Sequence, residues 1–144
     1  MADAVSHEQG AFRGCFGCGP DNPSSLGMKF EREEGEVISR LTMTAEYAGY
    51  QDFVHGGIIA TMLDEAMGWA VFTLADQYAV TRSLQVDYRR PVQVGKALVV
   101  KASVIEKDEA TIRLEARIEN ERGRLLATGI GHWVPVRRAR AQAR

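Results

Sequence analysis

Hydrophobic and polar positions alternate with a period of two along most of this chain. The segment 110–118 shows it most clearly: Ala110, Ile112, Leu114, Ala116 and Ile118 fall on one side, Thr111, Arg113, Glu115 and Arg117 on the other. Similar patterning predicts strands over 26–31, 36–44, 80–88, 97–105 and 125–136. In 36–44, Val37, Leu41 and Met43 alternate with Ile38, Arg40 and Thr42; in 80–88, Leu84, Val86 and Tyr88 oppose Ser83, Gln85 and Asp87. Charged or glycine-containing turns at 107–109 and 120–123 join the last three as antiparallel hairpins. One segment breaks the rule. Over 56–74, Ile59, Leu63, Ala66, Met67, Ala70 and Leu74 recur at helical spacing, which predicts one long, mostly apolar helix. A helix this apolar must be covered on most sides, so the expected class is α+β, a curved antiparallel sheet wrapped around it.

Length and charge narrow the field. At 144 residues the chain fits one domain, here 12–136, preceded by a mobile leader (1–11) and followed by a basic tail (137–144). Eighteen basic residues nearly balance nineteen acidic ones, so no overall field draws the protein to nucleic acid or to a membrane surface. No apolar run suggests a bilayer span and the N-terminus has no signal-peptide order, so a cytoplasmic location is expected. Cys15 and Cys18 form a lone C-x-x-C among Gly14, Gly17, Gly19 and Pro20. Zinc asks for about four ligands and no second cysteine pair exists, so the pair reads as two reduced thiols in a turn. Neither a metal nor a cofactor is expected.

The helix carries the candidate chemistry. At about 100° per residue, Leu63 marks the middle of the core stripe and Asp64 its edge, on one side with Gly57, Thr61 and Gly68. Those small residues would let another chain or a thin ligand approach the backbone. Glu65 projects further round, beside Ile58 and Phe72, and its loss is expected to be mild. His55-Gly56-Gly57 puts two glycines at the helix start, where unpaired N–H groups and the macrodipole can hold a carbonyl oxygen as it gains charge. Donors and a carboxylate on one helix make a minimal hydrolytic site, in which Asp64 activates water or attacks the carbonyl itself.

The run His55-Gly56-Gly57, six further residues and then Asp64 resembles the helix motif of phenylacetate-type hotdog thioesterases. Two more stretches are similar to that family: 81–91, ending Tyr88-Arg89-Arg90-Pro91, and 15–30, beginning Cys15-Phe16-Gly17-Cys18-Gly19-Pro20. The resemblance covers roughly 15–136. It implies a hotdog fold, a homodimer or a tetramer built from two dimers, and an active site shared between subunits. The implied substrate is an acyl thioester of coenzyme A. Asp64 then matches the base or nucleophile, the Gly57 N–H the oxyanion donor, and Thr81 a hydroxyl that orients water or the acid. His55 and Gly56 shape the substrate loop, and Arg89 and Arg90 stand where coenzyme A phosphates could be met.

This sequence also departs from the family. Many relatives carry Asn or Gln six residues before the histidine to polarise the thioester carbonyl; here that position is Gly49, with Gln51 the nearest substitute. Two other functions stay open. A non-catalytic acyl-CoA-binding hotdog domain would have no use for an acid beside the thioester. A hotdog enoyl-CoA hydratase or dehydratase would need an Asp/His pair; Gly19-Pro20-Asp21-Asn22-Pro23 echoes one such motif, but Ser25 stands where its histidine belongs.

Overall fold

The computed structural model describes residues 12–136 and the backbone of 3–5; the basic tail, His7 and the rest of the leader lie outside the described residues. Seven strands form one antiparallel sheet: β1 (Asp3–Val5), β2 (Phe30–Glu33), β3 (Glu36–Thr42), β4 (Tyr78–Tyr88), β5 (Ala97–Lys107), β6 (Ile112–Asn120) and β7 (Leu125–Val136). Their spatial order is β1-β2-β3-β5-β6-β7-β4. The helix α1 (Gly56–Leu74) follows β3 and carries the chain across the sheet, so that β4 becomes the far edge. This is the hotdog arrangement, with α1 lying against β3, β4, β5, β6 and β7.

The periodicities explain most of these elements. Ile112, Leu114, Ala116 and Ile118 turn inward from β6 and are almost completely buried. Around α1 the buried set is Ile59, Met62, Leu63, Ala66, Met67, Trp69, Ala70 and Val71, wider than the expected stripe, while Leu74 is only half-buried. By length and mean hydropathy (1.3) α1 does reach the measure of a bilayer span, contrary to the sequence reading. Its isoleucines, leucines, methionines, alanines and Val71 raise the hydropathy, and the sheet covers the buried part. Close approach of helix and sheet depends on Gly131 of β7, where a Cβ would lie 2.5 Å from Met67 Sδ.

Two expectations change. Asp3–Val5, read as leader, pairs antiparallel with β2. Residues 26–29, read as strand, are laced instead to the cysteine turn: Leu26 N–H donates to Phe16 O at 2.8 Å and Met28 N–H to Gly17 O at 3.0 Å. That pairing uses the donors a strand partner would need, and it seats the turn against the core.

Candidate active site

The start of α1 is capped by its own histidine. His55 Nδ1 accepts a hydrogen bond from the Gly57 N–H at 2.8 Å, while Ile58 and Ile59 N–H both donate to His55 O. The Gly57 amide, expected to serve as an oxyanion donor, is therefore engaged within the loop. Gly49 packs behind this cap: a Cβ there would lie 3.0 Å from His55 Cα, closer than an ordinary contact. Tyr88 O–H donates to Gly56 O at 2.8 Å and ties the end of β4 to the same spot. Arg89 and Arg90 follow at once, exposed, with their backbone N–H groups on Leu126 O. Gln51 occupies a left-handed turn position (φ 52°) and is exposed. Among the described residues no hydrogen bond links Gln51 to Asp64 or Thr81.

The small-residue side of α1 is also filled from within. A Cβ at Gly57 would meet the His55 ring at 3.1 Å, and one at Gly68 would meet Trp133 Cη2 at 3.1 Å. Thr61 O–H turns back onto Gly57 O at 2.9 Å. The glycines thus admit rings of the same chain, which removes the strip as an argument for a second subunit.

Asp64 and Thr81 are brought together. Thr81 O–H donates to Asp64 Oδ1 at 2.6 Å, a short bond of the kind made to an ionised acceptor. The strand achieves this by a β-bulge. The register of β4 against β7 shifts between Thr81 and Ser83, leaving Arg82 as the extra residue. Ala79 packs toward α1 before the bulge and Leu84 and Val86 after it, a change of parity that strict alternation forbids. Burial raises the Asp64 pKa and a nearby Cys15 adds to the rise, while the Thr81 bond opposes it. A cavity of about 160 Å³ opens beside Asp64, walled largely by aromatic side chains, among them Phe12, Trp69, Phe72 and Trp133. A carboxylate held by one hydroxyl at the edge of an apolar cavity can accept a proton from water while an apolar group lies alongside.

Residues 51–127, more than half the chain and including both Asp64 and Thr81, match the family model described as the thioesterase superfamily. The chain belongs to the thioesterase superfamily. Among its relatives, a protein named as an esterase in Saccharolobus solfataricus is 27% identical over 113 residues, covering 78% of this chain and 79% of that protein. The acyl-coenzyme A thioesterase THEM4 of Rattus norvegicus is 25% identical over 103 residues, 62% of this chain. The chain spans less than half of that relative, 44% of its length. A thioesterase protein from Streptococcus pneumoniae, solved with coenzyme A, superposes with a TM-score of 0.71 at 19% identity, covering 94% of this chain and 96% of the other. This superfamily membership makes the chain a thioester hydrolase by class.

On this thioesterase-superfamily chain the sequence reading missed one cluster. Glu65 meets the cysteine turn. Its Oε1 shares a hydrogen bond with Cys15 Sγ at 3.2 Å, and its Oε2 accepts from Trp69 Nε1–H at 3.0 Å. Trp69 Nε1–H also lies 3.3 Å from Cys18 Sγ. Burial pushes the Glu65 carboxyl up to about 7. The hydrogen bond from the Cys18 thiol pulls Cys15 down to about 5, and Cys18 itself is held well above the ordinary thiol range by that bond and by burial. The cysteines do sit in a turn, as expected, but Cys18 is buried and the turn is docked on α1. A helical-wheel reading of α1 alone could not show this, because the partner turn lies about fifty residues away in sequence.

Proposed function

We propose that the protein hydrolyses an acyl-coenzyme A thioester to the free acid and coenzyme A, with Asp64 as the catalytic carboxylate. The observation that carries this reading is the 2.6 Å Thr81–Asp64 bond at the mouth of an apolar cavity. Thr81 occupies Oδ1 and leaves Oδ2 to take a proton from water. The resulting hydroxide adds to the thioester carbonyl carbon, the tetrahedral intermediate expels the coenzyme A thiolate, and the proton on Asp64 returns to that sulfur. Acyl-coenzyme A as substrate class is supported by the name of the rat relative and by the coenzyme A bound to the pneumococcal protein. A cavity of about 160 Å³ is close to the ~150 Å³ that holds a benzene ring, which favours short or single-ring acyl groups over long chains.

The working site is shared between two chains. His55 Nδ1 takes up the Gly57 N–H in this chain, so service of that amide as the oxyanion donor requires the cap to open. The edge strand β4 supplies a surface for pairing: it has no neighbour on its outer side among the described residues, and Val80 and Tyr88 are 54% and 55% exposed. Arg89 and Arg90, at the end of that strand, are placed to meet coenzyme A phosphates. Neither rival gains support. The hydratase reading needs a histidine beside Asp64, whereas His55 caps α1 and His132 lies beside Ser83. A binding-only domain is separated by assay: coenzyme A release from a panel of acetyl-, short-chain, aryl- and long-chain acyl-coenzyme A should be catalysed for at least one member. Binding of these ligands with no turnover of any would refute the proposal.

A further inference from the structure

Cys15 Sγ, Cys18 Sγ and a Glu65 carboxylate oxygen all lie within 4.8 Å of one another. From this arrangement we infer a site for a thiophilic divalent cation, with Zn²⁺ the ion it fits best, bound by these three side chains. The inference does not depend on the thioesterase reading.

Four features support a metal over a merely packed turn. First, the donor set suits zinc: two thiolates and one carboxylate, with a fourth position open to water. A tetrahedral zinc centre needs its sulfurs about 3.8 Å apart and each sulfur about 3.5 Å from the carboxylate oxygen. The Cys15–Glu65 separation is 3.2 Å, so small side-chain rotations reach that geometry. Second, the turn has the form that thiolate ligation uses. The Gly17 N–H donates to Cys15 Sγ at 3.3 Å, and Gly19 N–H closes the turn on Cys15 O at 2.8 Å. Third, the backbone is tight at Gly19 and Gly17 lies directly against Glu65. A Cβ at Gly17 would meet Glu65 Cδ at 2.5 Å, and one at Gly19 would meet Cys15 N at 2.3 Å. The turn is therefore pressed directly onto the third ligand. Fourth, an outer layer of donors is in place, because Trp69 Nε1–H faces both Cys18 Sγ and Glu65 Oε2. The bidentate Arg13–Asp21 pair, both bonds 2.9 Å, clasps the loop from outside.

A cation here would fasten the N-terminal turn to α1 one residue from Asp64 and stiffen the cavity wall that Cys15 and Glu65 share with it. Binding replaces the protons on the ligands with the metal and involves no redox step.

The test uses the untagged 144-residue chain, reduced and stripped with a chelator, then titrated with Zn²⁺ against a chromophoric chelator of known affinity. One Zn²⁺ per chain at submicromolar Kd is expected. Cys15→Ser and Cys18→Ser should each weaken it by more than about 100-fold, and Trp69→Phe by about 10- to 100-fold. Replacement by Co²⁺ should give thiolate-to-cobalt charge transfer and the intense visible bands of a tetrahedral centre. The cobalt spectrum of the unaltered protein and Glu65→Gln keep the test decisive should a cysteine variant fail to fold. The inference is overturned by an absence of saturable Zn²⁺ binding, by an octahedral cobalt spectrum, or by equal affinity in folded Cys15→Ser and Cys18→Ser proteins.

Discussion

Replacing Thr81 with Val deletes one hydroxyl and keeps the branched shape of the side chain. The bond lost is 2.6 Å long and ends on a carboxylate that is partly withdrawn from water. Hydrogen bonds to charged groups contribute about 1.5–3 kcal/mol. If the bond holds Asp64 in its reactive orientation, most of that loss falls on the transition state. At about 1.4 kcal/mol per decade, kcat should fall roughly 10- to 100-fold. KM should change little, since Thr81 meets the carboxylate and not the acyl group. Steady-state coenzyme A release, measured on the best substrate of the panel, separates the two parameters. Thr81→Ser should restore much of the rate, because the bulge at Arg82 still aims a hydroxyl at Asp64. A Thr81→Val enzyme with unchanged kcat, or a Thr81→Ser enzyme as slow as Thr81→Val, would refute the positioning role.

Other consequences concern stability and assembly. Gly19→Ala forces a Cβ against backbone atoms of Arg13 and Cys15, so urea denaturation should show a loss of about 1–3 kcal/mol. For Glu119, burial raises the pKa, but Lys101 at 3.2 Å and Arg117 at 3.1 Å outweigh it and hold the folded-state value below the ordinary range. Its contribution to stability is therefore complete above the ordinary glutamate range and is lost as the pH falls through the depressed value; Glu119→Gln should flatten the acid limb of a melting-temperature profile. Light scattering at micromolar concentration should give a dimer or tetramer, and Val80→Lys on the β4 edge should shift it toward monomer with loss of activity. An active monomer would contradict the shared site.

The long helix was legible because its apolar spacing and its glycine start act locally, and α1 begins and ends where that pattern does. The β6 face was equally plain from strict alternation. Thr81 was not legible from periodicity. Counting by twos puts it on the Ser83 side, away from Leu84 and Val86, and only the bulge brings it round to Asp64; its role came from family resemblance. The capping of the Gly57 amide was not legible because a helix start is generic, whereas its engagement depends on the His55 side-chain rotamer. The partners of Glu65 were missed for a related reason. A wheel shows direction, and the Cys15–Cys18 turn that meets this residue is placed by tertiary packing.

The central claim is that Asp64 is the catalytic carboxylate, and Asp64→Asn tests it most directly. Asn keeps the size of the side chain and can still accept from Thr81, but it cannot take a proton from water. With the fold checked by circular dichroism and coenzyme A binding checked by calorimetry, kcat for acyl-coenzyme A hydrolysis should drop about 10²–10⁴-fold. Hydrolysis at near the unaltered rate by a folded, ligand-binding Asp64→Asn protein would contradict the account.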